Sequence, residues 1–97
     1  MGPEIVDAEA EQRYEARVEG ELAGFIDYRL KRGRIALIHT EVLPAHQGRG
    51  IADRLARFAL DDARRRGLPV IASCPYVRAY VERHPETQDI VVGMTPA

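Results

Sequence analysis

The chain reads as one α/β domain, 1–97, with antiparallel strands at the N-terminus followed by a β-α-β-α core in a mixed sheet. Two observations predict this. Charged and apolar residues alternate strictly over 13–19, the period of a strand with one wet face. Further on come an apolar strand, a glycine-bearing loop, a long amphipathic helix and a second apolar strand, the order of a parallel crossover unit. A length of 97 residues allows one core and no second lobe.

Residues 1–11 are polar and small and are expected to be flexible. Over 13–19, Arg13, Glu15, Arg17 and Glu19 point one way and Tyr14, Ala16 and Val18 the other. Gly20-Glu21 then turns the chain into a second strand, 22–30, so the pair forms an antiparallel hairpin. Lys31-Arg32-Gly33 is the next turn. The third strand, 35–42, is nearly continuous in apolar character, as expected of a strand covered on both faces. Its odd-numbered face carries Ile35, Leu37, His39 and Glu41. Pro44 ends it.

A helix follows over 51–66. At ~100° per residue, Asp53, Arg54, Arg57, Asp61, Arg64 and Arg65 share one arc. Ile51, Ala52, Leu55, Ala56, Phe58, Ala59 and Ala63 share the other, and Asp62 falls among them, out of pattern. Gly67 stands where a helix-terminating residue belongs. Residues 68–73 form a buried strand, with Pro69 tolerated near its start, lying parallel to 35–42 through a right-handed crossover. Pro75 suits the first position of a second helix, which Pro85 stops near His84, and 89–93 adds a last short strand.

Composition excludes several function classes. With 45% hydrophobic and 30% charged residues the chain resembles an ordinary soluble globular protein. No apolar run approaches the roughly 18 residues of a membrane span, and the first residues lack a secretory apolar core. Cys74 is the only cysteine, which excludes an internal disulfide and fits a reducing cytoplasm. The net charge of −1 gives no field favouring nucleic acid or an anionic membrane. The arginines at 54, 57, 64, 65 and 66 are interleaved with Asp53 and Asp61 and lack an aromatic stacking platform, so they read as a solvated helix face. A monomer or weak dimer is expected.

The chemistry concentrates in Gln47-Gly48-Arg49-Gly50-Ile51-Ala52. A strand that turns through glycines into a helix presents backbone N–H groups at the positive end of the helix dipole, and such a place binds phosphate. Glycine, having no Cβ, lets the backbone approach an anion closely. The run is not a Walker loop, because no Lys-Ser/Thr pair follows its last glycine. It is not the dinucleotide fingerprint either, which needs a third glycine and an acidic residue about 20 positions on, where this chain has the Gly67 turn.

Gln47, Gly50 and Ala52 fill the Arg/Gln-x-x-Gly-x-Gly/Ala pattern of the acyl-CoA loop of the GNAT superfamily of N-acetyltransferases. His39-Thr40-Glu41-Val42, Gly48-Arg49-Gly50-Ile51-Ala52, Cys74-Pro75-Tyr76 and His84-Pro85-Glu86 follow in the order found in its minimal single-domain members, which the chain resembles over about residues 12–92. The resemblance implies a GNAT-like sheet with a CoA crevice between 35–42 and 68–73, at the carboxyl ends of parallel strands. It implies acetyl-CoA as co-substrate without a metal, and an amine acceptor: a small molecule, a polyamine, or a protein lysine or N-terminus. Backbone groups of Val42 and Leu43 would pair with the pantetheine arm. The N–H groups of Gln47, Gly48, Arg49, Gly50, Ile51 and Ala52 would hold the pyrophosphate. Arg49 either touches phosphate or is a solvated surface side chain. Only about a dozen residues precede Arg13, too few for the helices that shape the acceptor pocket in that superfamily, so an open acceptor side follows.

Acyl transfer to an amine needs a proton acceptor, an oxyanion donor and an acid for the leaving thiolate. Cys74 stands where a strand ends and a helix begins, a place that favours a thiolate. It is an acyl acceptor or acid, or else a small buried apolar residue. His39 on the facing strand is a general base or a hydrogen-bonded core histidine, and Glu41 orients it, binds the amine, or joins a surface network. Many superfamily members carry a tyrosine acid on the second helix. Here valine, at 81, occupies that place, Tyr80 is offset by about 100°, and Tyr76 and Tyr80 are expected to pack on the sheet. His84 is read as structural, and the scattered histidines and cysteine make no zinc site. With the loop intact and the tyrosine absent, a non-catalytic acyl-CoA binder or sensor is the alternative to an N-acetyltransferase.

Overall fold

The computed structural model describes residues 2–94. Strands β1 (Glu4–Ala8), β2 (Arg13–Val18), β3 (Glu21–Lys31) and β4 (Arg34–Val42) precede helix α1 (Ile51–Arg65). Strand β5 (Val70–Ala72), helix α2 (Pro75–Arg83) and strand β6 (Val91–Gly93) follow. The six strands form one sheet in sequence order. β1 to β4 pair antiparallel, and β4, β5 and β6 pair parallel.

The N-terminal residues expected to be flexible instead supply β1, which pairs with β2 from Glu4↔Arg17 to Ala8↔Arg13. Its shortness hid it, because the adjacent apolar pair Ile5-Val6 between Glu4 and Asp7 shows no alternation of period two. Asp7 adds a second tether, accepting hydrogen bonds from the Tyr28 hydroxyl at 2.6 Å and from Arg66 at 3.3 Å.

Two parallel crossovers advance in the same direction across the sheet, so right-handedness puts α1 and α2 on the same face. Contacts between the helices agree: Tyr76 donates to Asp53, and Arg83 lies 3.6 Å from the same carboxylate. Between helices and sheet sits one core that includes Tyr14, Ile26, Leu37, Leu55, Leu60 and Val77. Among the described residues no helix covers the opposite face. This corrects the expectation of a doubly covered β4, whose Ala36 and Ile38 are only half-buried.

Glu15 lies on that open face, yet it is 4% exposed. Arg13 and Arg17, expected to point into water with it, fold over it instead. Arg13 Nε donates to Oε2 at 2.7 Å and Arg17 Nη2 to Oε1 at 2.9 Å, while the Arg13 guanidinium lies 4.6 Å from the Phe25 ring centre. Burial pushes the Glu15 carboxyl up, but the hydrogen bonds from the two arginines outweigh it and hold the group below the usual carboxylate range.

Asp62, out of place by helical periodicity, is buried with its charge answered. It accepts from the Tyr14 hydroxyl at 2.8 Å, from Arg66 at 3.2 Å and from Arg65. The core needs that carboxylate because Tyr14 is fully buried and its hydroxyl must find an acceptor. Burial, and then the bond to Asp62, push the Tyr14 hydroxyl well above its ordinary titration range.

The pairing of β3 with β4 contains a bulge that decides the site. Tyr28 opposes Leu37, but its neighbour Asp27 opposes His39, leaving Ile38 as an extra residue. Directly opposed residues share a face. Leu37 therefore faces the helices with Tyr28, whereas His39 faces the open side with Asp27. Past the bulge the faces exchange: Thr40 and Val42 turn to the helices, His39 and Glu41 away from them.

Candidate active site

β5 accompanies β4 only from Ile35↔Val70 to Leu37↔Ala72. The N–H groups of Ser73 and Cys74 both donate to the Leu37 carbonyl at 3.0 Å, and beyond that point the two strands part. On the β3 side, Val42 opposes Gly24 and the next residue, Leu43, donates to Ala23 O at 2.8 Å. In an antiparallel ladder this makes Val42 a non-hydrogen-bonded position, so its own N–H and C=O point away from β3, into the opening. The edge depends on Gly24. A Cβ there would lie 2.8 Å from Glu41 O and 3.3 Å from the Val42 Cα. Gly24→Ala is therefore expected to displace this stretch of β4, lowering the melting temperature and weakening coenzyme binding, as thermal melts and calorimetry would check.

The opening leads to the glycine loop. Gly48 (φ 79) and Gly50 (φ 73) take the left-handed conformation, and Gly50 caps α1 with no side-chain cap. The N–H groups of Gly48, Arg49 and Gly50 make no main-chain hydrogen bond. Those of Ile51, Ala52 and Asp53 are the orphan donors of the first helical turn. Arg49 and Arg54 line a cavity of about 320 Å³ beside them.

Two residues placed in the coenzyme set by resemblance are engaged elsewhere. Leu43 donates to Ala23 and its carbonyl accepts the His46 N–H at 2.9 Å, so it has no free main-chain donor. The Gln47 N–H closes a 3₁₀ turn onto Pro44 O at 3.4 Å. Pairing with β3 takes the Leu43 N–H, and the short turn takes that of Gln47. Gln47 instead extends its side chain, and Nε2 donates to the Val42 carbonyl at 3.2 Å.

His46, unremarked in the sequence, anchors the start of the loop. It is 6% exposed, and its Nε2 lies 3.0 Å from the Glu21 carboxylate at the head of β3, while Nδ1 is buried without a partner. No periodicity marks a histidine in a short Pro44–His46 turn, so the sequence held no signal for it.

The expected approach of His39 to Cys74 is not made. Cys74, 3% exposed at the head of α2, meets Thr40 instead, with Sγ 3.2 Å from Oγ1. His39 lies on the other face, its Nε2 3.2 Å from the Glu41 carboxylate, with both side chains about half exposed. The bulge is the cause: counting alternate residues from Leu37 puts His39 with the core, and the extra residue reverses that. Tyr76 and Tyr80, expected to pack on the sheet, make their named contacts with α1 and with the end of α2 instead. Tyr76 binds Asp53, and Tyr80 stacks on the His84 ring at 3.9 Å. Burial, and then the Asp53 charge, raise the Tyr80 hydroxyl. His84 Nδ1 donates to Tyr80 O at 2.8 Å, a structural role. Among the described residues no group of three His, Cys, Asp or Glu could hold a metal, and no helix is long and apolar enough to cross a membrane.

Residues 13–90 match the sequence profile of the GCN5-related N-acetyl-transferase family. The chain belongs to that family. Among its relatives, protein NATD1 of Gallus gallus is 43% identical over 54 residues, covering 56% of this chain and 49% of the relative. Streptothricin acetyltransferase of Streptomyces lavendulae is 38% identical over 68 residues, 68% of this chain and 36% of that protein. The match thus spans about half, or less, of these relatives' length. A GCN5-like protein from Staphylococcus aureus, solved by NMR, superposes with a TM-score of 0.71 at 27% identity, covering 94% of this chain and 89% of the other. Ribosomal-protein-alanine N-acetyltransferase from Brucella melitensis shares the fold, with a TM-score of 0.59 at 23% identity over 88% of this chain and 61% of that one. The family's mixed α/β sheet is therefore the architecture described above.

Proposed function

We propose that this GCN5-related chain binds acetyl-CoA across the glycine loop and the β4–β5 opening and transfers the acetyl group to an amine. The observation that carries the reading is the unbroken run of unbonded N–H groups from Gly48 to Asp53, a fitting cradle for a pyrophosphate. From that cradle, a pantetheine arm would reach the outward-facing N–H and C=O of Val42, and the thioester would lie where β4 and β5 part. The acceptor arrives from the helix-free face, whose openness suits an amine on a polyamine or protein.

His39, held by Glu41, takes the proton from the attacking amine. As the C–N bond forms and the C–S bond breaks, the Cys74 thiol, steadied by Thr40, protonates the departing thiolate and is itself reprotonated from solvent. The separation of Cys74 and His39 on opposite faces favours this direct transfer over an acetyl-cysteine relay.

Acetyl-CoA binding followed by calorimetry, and thiol release followed over a panel of amines and peptides, test the reading. His39→Ala is expected to lower kcat/KM by about 10²–10⁴-fold with the acetyl-CoA Kd unchanged. Intact-mass measurement after incubation without acceptor should show no acetyl adduct on Cys74. Binding without thiol release from any amine would make the chain an acyl-CoA binder or sensor, and no binding at all would end the proposal.

A further inference from the structure

The Val42 carbonyl faces the opening, yet it is not unpaired. The Gln47 side chain reaches back and donates Nε2–H to it at 3.2 Å. The donor is a carboxamide, the same functional group as the amides along a pantetheine arm, and the acceptor lies on a strand edge that β5 leaves unpaired past Leu37. The backbone leading into Gln47 is held: its N–H bonds to Pro44 O, and His46 before it is fixed to Glu21. Its side chain is exposed, so it can rotate into water without moving the loop.

We propose that Gln47 is an internal stand-in for the pantetheine amide, occupying Val42 until the ligand's own N–H displaces it, and thereby setting how tightly the arm binds. This rests on the reading that acetyl-CoA lies in the opening. In the free protein Gln47 holds this carbonyl in place of water. The arm's hydrogen bond then replaces an existing one rather than adding to the total. A ligand that lacks the arm has no reason to displace Gln47 and does not feel it.

Gln47→Met keeps the length of the side chain and removes the donor. Wild type and variant are titrated with acetyl-CoA and with ADP, which keeps a pyrophosphate but lacks the arm, while the carbonyl ¹³C resonance of Val42 is followed by NMR. The variant is expected to bind acetyl-CoA about three- to tenfold more tightly, the worth of one hydrogen bond, with ADP affinity unchanged. The Val42 carbonyl resonance should shift on acetyl-CoA binding far more in the variant than in wild type. Equal acetyl-CoA affinity in the two proteins overturns the proposal, as does a parallel loss for both ligands, which would make Gln47 a support of the phosphate loop. Wild-type protein that binds ADP but not acetyl-CoA, or neither, defeats the coenzyme reading itself, and the proposal falls with it.

Discussion

Asp62→Ala should cost about 1–3 kcal/mol of folding stability, the penalty for leaving a buried donor unpaired. The substitution strands the Tyr14 hydroxyl, buried with no other acceptor, and releases Arg65 and Arg66 from α1's last turn. Arg66 also bonds to Asp7, so the loss extends to β1, the strand that Asp7 and Tyr28 pin to the sheet. Asp62→Asn keeps an acceptor for Tyr14 and should cost less than the alanine variant. At roughly 4–8 °C per kcal/mol in a domain of this size, thermal melts separate the three proteins readily. A melting temperature within a few degrees of wild type would show that the cluster contributes nothing.

The same carboxylate determines a pH dependence. Burial pushes the Asp62 carboxyl up, but hydrogen bonds from Tyr14, Arg66 and Arg65 prevail and hold it below the usual carboxylate range. The folded state therefore binds fewer protons here than the unfolded chain. The stabilisation is fully present above the unfolded value of about 3.9 and is lost as pH falls through the lower folded value. Glu15, held down by Arg13 and Arg17, acts with the same sign. Melts across the acid range should show stability falling below about pH 4, with a shallower fall in Asp62→Ala.

Gly50→Val should abolish measurable coenzyme binding, a loss of about 100-fold or more, while leaving the protein folded. A Cβ at Gly50 meets no atom within 4 Å, so the penalty comes from the φ of 73° and not from a clash. Left-handed backbone costs an ordinary L-residue roughly 1–2 kcal/mol, and a β-branched one more. The chain can relieve that only by rotating the peptides on either side, which turns the N–H groups of Gly50 and Ile51 out of the cradle. Asn tolerates the left-handed region, so Gly50→Asn should keep much of the binding that Val removes. Calorimetry with acetyl-CoA on both variants checks this, and equal loss in the two would mean that backbone conformation is not what the glycine supplies.

The local periodicities read well. Alternation at 13–19 found β2, the glycine-turn spacing found β3 and β4, and the apolar arc at 51–66 found α1 to within a residue. The glycine turn into α1 was legible because its left-handed residues and its helix start need only neighbours in the chain. What escaped depended on partners distant in sequence. β1 is a strand because β2 had a free edge, Glu15 is buried because two arginines and Phe25 enclose it, and Asp62 enters the core to meet Tyr14, 48 residues away. His46 and the Gln47–Val42 bond carried no pattern at all.

By itself the sequence determined the order of the elements from β2 onward, the family and the glycine turn into α1, since each rests on patterns or dihedrals within short stretches of chain. Only the tertiary structure decided which reactive side chains meet. One extra residue opposite the Asp27–Tyr28 step exchanges the faces of β4, giving Cys74 to Thr40 and turning His39 and Glu41 to the open side. A period-two pattern cannot reveal where it slips, because the slip is defined by the register of the neighbouring strand.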